Sequence, residues 1–124
     1  MIKLTFCLVR RPELSRAEFQ RYWREIHGPL VASLQEPLRI RRYVQTHSLP
    51  EDASEGLRAI RGGPVGYDGV AQLWWESLED MAGLASDPEA IEAGRLLVED
   101  ERRFVDLTRS PLWWGEEHEV IARG

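Results

Sequence analysis

The sequence predicts an α+β fold in which a four-stranded antiparallel sheet carries its helices on one face, in the order β-α-β-β-α-β. Three observations carry this reading. Segments 2–9 and 69–76 are short, rich in apolar and aromatic residues, and bounded by turn signals, as strands are. Segments 15–27 and 88–109 repeat apolar residues at helical spacing behind recognisable caps. The two kinds of segment then alternate in the split βαβ arrangement.

Taken in order, Ile2, Leu4, Phe6 and Leu8 alternate with Lys3, Thr5, Cys7 and Val9, so residues 2–9 read as a half-buried strand. Pro12 marks the turn that follows. Ser15 with Glu18 forms a capping box and opens a helix over 15–27. Phe19, Tyr22, Trp23, Ile26 and Leu30 fall on one stripe of it. Gly28-Pro29 is expected to end or kink this helix, because proline lacks a backbone donor and clashes with the preceding turn. A short turn or helix continues to residue 34, and Pro37 precedes a second strand at 39–48. Residues 48–66 read as a polar loop punctuated by glycines, with at most a helical turn over 57–60. A connection of that length is expected to be mobile, either simply as a loop or as a lid that covers a cavity. The third strand runs over 69–76. Ser77 caps a short helix at 78–85, and Asp87-Pro88 restarts the chain with aspartate at the N-cap and proline at the first helical position. That helix extends to 109, Ser110-Pro111 stops it, and residues 116–122 read as the last strand. The order is that of ferredoxin-like domains.

A chain of 124 residues is expected to form one domain spanning 1–124. Its net charge of −5 argues against general affinity for nucleic acid. Basic residues concentrate in 10–42 and carboxylates in 76–119, a pattern of solvated helix faces or of attraction between halves or subunits. The single cysteine, Cys7, excludes an internal disulfide. The N-terminus alternates like a strand rather than a leader, and no apolar run reaches membrane-spanning length, so a cytoplasmic protein without a membrane partner is expected. No phosphate loop, dinucleotide fingerprint or zinc spacing is present, so neither a cofactor nor a metal is expected. His118 stands among Glu116, Glu117 and Glu119, but strand neighbours alternate sides and make a poor ligand set. Five tryptophans point to a roomy apolar cavity, a large interface, or both.

His27 is the leading candidate for chemistry. It stands beside Trp23 at the rim of the apolar stripe, at an irregular helix end. Such a histidine either packs as a structural side chain or faces a cavity. On the second strand Tyr43, Gln45 and His47 share one side, while the third strand places Val70, Gln72 and Trp74 opposite Ala71, Leu73 and Trp75. Tyr43, Gln45, His47, Gln72 and Trp74 are assigned to the cavity side because they mix polar groups with aromatics, as ligand pockets do. Asp68 before Gly69 reads as a turn residue or as a group that orients a histidine. Cys7 reads as a packed small hydrophobe, or as a nucleophile if it faces the cavity.

The string Tyr22-Trp23-x-x-x-His27-x-Pro29-Leu30 behind a short first strand resembles the EthD domain family. So do Arg41 to His47, Tyr67 to Trp75 with its Asp-Gly opening, and Asp100 to Asp106. The resemblance covers nearly the whole chain. It implies a dimeric α/β barrel in which two subunits of a homodimer stack their sheets, each enclosing its own cavity. It also implies a cofactor-free domain that handles hydrophobic or aromatic small molecules, with relatives among lactone isomerases and polyketide-type dehydratases, decarboxylases and cyclases. More distant members of the superfamily bind or degrade haem. By the match, His27 is the general acid or base, and Trp23, Tyr43, Gln45, His47, Gln72 and Trp74 line the pocket. The expected function is a lyase or isomerase that works by acid–base chemistry on a hydrophobic carbonyl compound or lactone. A non-catalytic small-molecule binding protein and a haem-binding, monooxygenase-like relative are the alternatives, the latter with His27 or His47 as axial ligand.

Overall fold

The alternation of residues 2–8 is satisfied by pairing on both edges. In the computed structural model, which describes residues 1–124, β1 (Ile2–Leu8) lies between β3 (Gly69–Trp75) and β4 (Leu112–Glu116), and β2 (Arg42–His47) pairs with the far side of β3. The sheet order is β2-β3-β1-β4 with every neighbouring pair antiparallel, the ferredoxin-like arrangement.

The capping box forms: Ser15 accepts from the Glu18 amide and Glu18 returns a bond to the Ser15 amide. It opens α1 (Arg16–Tyr22). The chain does not stop at Gly28-Pro29. It passes through one π turn over Trp23–His27 and continues as α2 (Gly28–Ser33), with Pro29 in its first turn. Proline can neither donate to the preceding turn nor pack its ring against it, and widening the ladder by one residue relieves both problems. The Gly28 amide accordingly bonds to the Trp23 carbonyl, five residues back. The extra residue also rotates the faces. Ile26, expected on the buried stripe, is 53% exposed, while His27 is 5% exposed.

The short helix α3 (Gln35–Leu38) ends on Arg39, whose left-handed φ of 57° closes the helix, so β2 starts at Arg42 rather than 39. The expected polar loop instead contains α4 (Asp52–Arg61), which ends on the left-handed Gly62 and buries no residue. After β3 come α5 (Leu78–Gly83), capped by Ser77, and α6 (Pro88–Glu101), capped by Asp87. The second main helix therefore ends eight residues before 109. A turn after Glu101 buries Phe104 and Val105, and Val105 bridges to Arg10. The last strand is Leu112–Glu116, not 116–122, because Leu112 and Glu116 stand opposite Phe6 and Ile2.

The core lies between the sheet and α1, the π turn, α2 and α6. Phe19, Trp23, Val31, Ala90, Ala93 and Phe104 meet Phe6, Leu8, Ala71, Leu73 and Trp75 there. Register fixes the two faces. Tyr43 is opposite Leu73 and Gln45 opposite Ala71, so the Tyr43, Gln45 and His47 set faces the helices together with Ala71, Leu73 and Trp75. Gln72 and Trp74 stand opposite Val44 and Arg42, on the helix-free face with Lys3, Thr5 and Cys7. The expected grouping of Gln72 and Trp74 with Tyr43 is thus corrected by one step of register. No helix is long and apolar enough to cross a membrane.

Gly69 is the tightest point between helix and sheet. A Cβ there would lie 2.8 Å from Trp23 Cη2 and 2.9 Å from the Thr46 carbonyl oxygen. Gly69→Ala is expected to destabilise the fold by about 1–3 kcal/mol, the usual cost of forcing an extra carbon into a packed core. Denaturant unfolding checks this, and an unchanged midpoint would contradict the packing described.

Candidate active site

The π turn, the last turn of α6 and the sheet line a partly open cavity of about 250 Å³. Its wall is mainly apolar, with Leu4, Phe6, Leu73 and Trp75 from the sheet, Trp23 and Val31 from the first helix, and Leu97 and Val98 from α6. Three residues bring polar groups to that wall: His27, Glu101 and the phenol of Tyr43.

His27 is backed by a carboxylate. Its Nδ1 lies 2.7 Å from Asp100 Oδ2, and both side chains are buried. The Tyr22 hydroxyl donates to Asp100 Oδ1 at 2.6 Å, and Arg103 Nη1 approaches the same oxygen at 3.5 Å. Both Asp100 oxygens are therefore occupied as acceptors, which places the imidazole proton on Nδ1 and leaves the Nε2 lone pair free. With Nδ1 tied back, the opposite ring edge is what His27 offers the cavity. Burial pushes the His27 pKa below its usual value, and the hydrogen bond and charge of Asp100 pull part of the way back. The ring is thus neutral at pH 7.

Glu101 follows Asp100 in sequence but has the opposite environment. It borders the cavity, and its carboxyl makes no hydrogen bond to the protein. Burial, helped by the Asp100 charge and opposed by Arg102, raises its pKa to about 7. Tyr43 accepts a hydrogen bond from Gln45 Nε2 at 2.8 Å, which leaves its own proton available, and burial raises its pKa too.

Among the expected site residues, His27, Trp23 and Tyr43 border the cavity. Gln45 and His47 stand on the same sheet face but act behind it. Gln45 Nε2 also donates to the Trp23 carbonyl at 2.9 Å, its Oε1 is 2.8 Å from His47 Nε2, and the His47 ring lies 4.4 Å from that of Trp23. Gln72 and Trp74 do not reach the cavity. Trp74 is covered instead by Arg42 and Lys3, with its indole N–H donating to Glu117. Asp68 is not the partner of a histidine: it holds the Arg10 amide at 2.8 Å and the Arg10 guanidinium at 2.6 Å. Cys7 faces away from the cavity, on the helix-free side. No residue of 48–66 lines the cavity, so the lid expected there has no counterpart. Nowhere do three His, Cys, Asp or Glu side chains converge as a metal site would require. Tyr22, Asp100 and Glu101 lie in segments that carry the family resemblance, but the sequence assigned them no role in the site. The available signal was the run of three acids Glu99-Asp100-Glu101 at the end of α6, next to the turn that carries Phe104.

These features define a ferredoxin-like α+β domain with a buried histidine–aspartate pair beside an apolar cavity. The chain belongs to the EthD domain family, whose defining pattern matches residues 11–108. It is 30% identical to the conidial pigment biosynthesis dehydratase EthD of Metarhizium robertsii, over 100% of this chain and 87% of that protein. It is 25% identical to the decarboxylase AgnL1 of Paecilomyces divaricatus, over 98% of this chain and 81% of that protein. Its fold is shared with a protein of unknown function from Bacteroides fragilis, described as dimeric and ferredoxin-like. The TM-score is 0.57 at 13% identity, over 94% of this chain and 95% of that one.

The raised pKa of Glu101 has a consequence for stability. A carboxyl whose folded pKa lies above its unfolded value favours the fold at low pH, and this contribution is lost as pH rises from 4.5 to about 7. Glu101→Gln removes the titration and keeps the shape. The stability of the variant relative to the natural protein is expected to increase across that interval, by at most on the order of 3 kcal/mol. Thermal unfolding of both proteins across the interval measures it, and a parallel pH dependence would contradict the burial of this carboxyl.

Proposed function

We propose that the protein is a cofactor-free acid–base enzyme of the lyase or isomerase type, acting on a hydrophobic or aromatic carbonyl compound. The observation that carries the reading is the His27–Asp100 pair on the wall of an apolar cavity. A neutral imidazole with Nδ1 anchored and Nε2 free is the form that removes a proton from a carbon next to a carbonyl. Asp100 is a positioning residue here. It fixes the tautomer and steadies the imidazolium that forms, and Tyr22 fixes Asp100 in turn. The mainly apolar wall offers water few partners, and a hydrophobic substrate filling the cavity would displace it and strengthen each of these interactions. The names of the two relatives, a dehydratase and a decarboxylase, support lyase chemistry of this kind.

A protein that only binds a ligand needs the cavity but not a buried carboxylate behind the histidine, and burying a charge has a substantial desolvation cost. The arrangement therefore favours turnover over storage. A cavity of about 250 Å³ is smaller than usual ligand pockets and suits a compact ligand rather than a haem macrocycle.

The helix-free sheet face supports the expected homodimer. Trp113, opposite Thr5 on that side, is 50% exposed. A second copy stacked on this face would cover Trp113, and the Bacteroides fragilis neighbour is described as dimeric.

His27→Ala is expected to lower kcat on a turned-over substrate by roughly 10² or more, the usual contribution of a general base. In the natural protein kcat should rise with pH through a value below the ordinary histidine pKa of 6.5, since burial lowers that of His27. Asp100→Asn should lower kcat and displace this limb, which loss of packing alone would not do. Steady-state rates across pH check all three outcomes. Light scattering at micromolar concentration is expected to show a dimer, and Trp113→Glu to shift it toward monomer. A monomeric natural protein would remove the stacked-sheet assembly.

A further inference from the structure

We propose that Glu101 is the proton donor to a departing hydroxyl group, and that the reaction at this site is elimination of water from a neutral β-hydroxy ketone. This rests on the reading of His27 as base and deepens it. Glu101 borders the same cavity as His27 and offers its carboxyl to nothing in the protein, so whatever fills the cavity meets it. A carboxyl without partners in an apolar wall is costly unless it keeps its proton or finds a ligand group.

The groups facing this region carry unequal demands. His27 comes from the π turn, Tyr43 from β2, and Asp100 and Arg102 from either side of Glu101 on its own segment. Asp100 is already engaged by His27 and Tyr22, and Arg102 is exposed. Although the chain has 16 Lys and Arg, none of them lines the cavity. An anionic substrate would bring a second negative group beside Glu101 with no cation to meet it. A neutral substrate avoids this conflict, which favours loss of water over loss of carbon dioxide from a carboxylate. Burial keeps Glu101 protonated up to about pH 7, and because burial also lowers the His27 pKa, the imidazole is already neutral as that pH is approached. One group can then take a proton while the other holds one to give.

The step balances. His27 Nε2 removes a proton from the carbon next to the carbonyl. That C–H pair becomes the new carbon–carbon double bond, through an enolate whose oxygen can accept from the Tyr43 hydroxyl. The bond from the β-carbon to oxygen breaks, and Glu101 protonates the leaving hydroxide to give water. His27 has gained one proton and Glu101 has lost one. Solvent exchange after product release returns both to their starting states.

The test uses a β-hydroxytetralone, a neutral compound of two fused rings whose loss of water gives a fluorescent naphthol. Glu101→Gln is expected to lower kcat roughly 10²-fold with little change in KM, and to abolish the falling limb of the pH profile near 7. Glu101→Asp should recover part of the rate. A second arm needs no turnover. Quenching of the cavity tryptophans above pH 7 should show unsubstituted tetralone binding at least about tenfold more tightly than naphthoate, with the gap narrowing in Glu101→Gln. Equal or tighter binding of naphthoate to the natural protein overturns the neutral-substrate proposal. So does a natural protein that binds the hydroxytetralone without dehydrating it. A Glu101→Gln variant with undiminished rate and an unchanged basic limb overturns the role of Glu101. The two readings fail separately. An inactive His27→Ala beside an active Glu101→Gln removes Glu101 and keeps the base, and the reverse pattern removes the base.

Discussion

Pro29 has no amide proton to give, and the arrangement of the site follows from how the first helix accommodates that. An α-helix carried through this position would leave a carbonyl unpaired and drive the proline ring into the turn before it. The π turn over Trp23–His27 resolves both difficulties and rotates the chain by one residue. His27 moves to the inside and Ile26 to the outside. The widened turn is then pinned from the sheet, since Gln45 on β2 donates to the Trp23 carbonyl that the turn reuses. Trp23 in turn lies against the bare backbone of Gly69, where any side chain would collide with it. The position of the histidine is therefore set by a backbone constraint that the helix and two strands hold jointly.

What the turn brings inward must be neutralised there. A buried imidazole with a free Nδ1 proton needs an acceptor, and Asp100 supplies it from the last turn of α6. A buried carboxylate needs donors of its own, and Tyr22, one turn before His27, supplies one. The network closes on itself: Tyr22 and His27 leave the same helix, straddle the π turn, and converge on the two oxygens of one aspartate. Phe104, 5.0 Å from both rings, fills the space between them and keeps water from the pair. Truncating Asp100 would leave two buried donors without partners, and for that reason its effect on folding and its effect on catalysis must be read by different measurements.

The elements that could be read in the sequence are those whose signals are local. Ser15 with Glu18, Ser77, and Asp87 with Pro88 start helices where they were expected, because a cap is a contact between residues a few positions apart. His27 stood out through the local break at Gly28-Pro29. What could not be read depended on distant partners. The face on which Gln72 and Trp74 lie is set by pairing with residues near position 44, and one step of register reverses it. The last strand lies earlier than 116–122 because its limits are fixed by pairing with β1, Leu112 opposite Phe6 and Glu116 opposite Ile2. Helix α4 extends well beyond the turn expected over 57–60, because a helix that buries no residue keeps a polar, loop-like composition. The pairing of Asp100 with His27 has no local signature, since the two residues are 73 positions apart.

Asp100 and Glu101 show why residue type alone could not assign the chemistry. They are consecutive carboxylates at one helix end, yet helical geometry turns them about 100° apart. One points at two donors and serves as an anchor, and the other points into a cavity that offers it none. The same functional group is thus committed in one place and left available in the next. Their proximity also couples them, since the charge held on Asp100 helps to keep the proton on Glu101. The carboxylate that fixes the base in its neutral tautomer therefore also helps keep a proton on the neighbouring acid. The base on the π turn and the acid on α6 are thus both governed by a one-residue step along α6, from Asp100, which holds the imidazole, to Glu101.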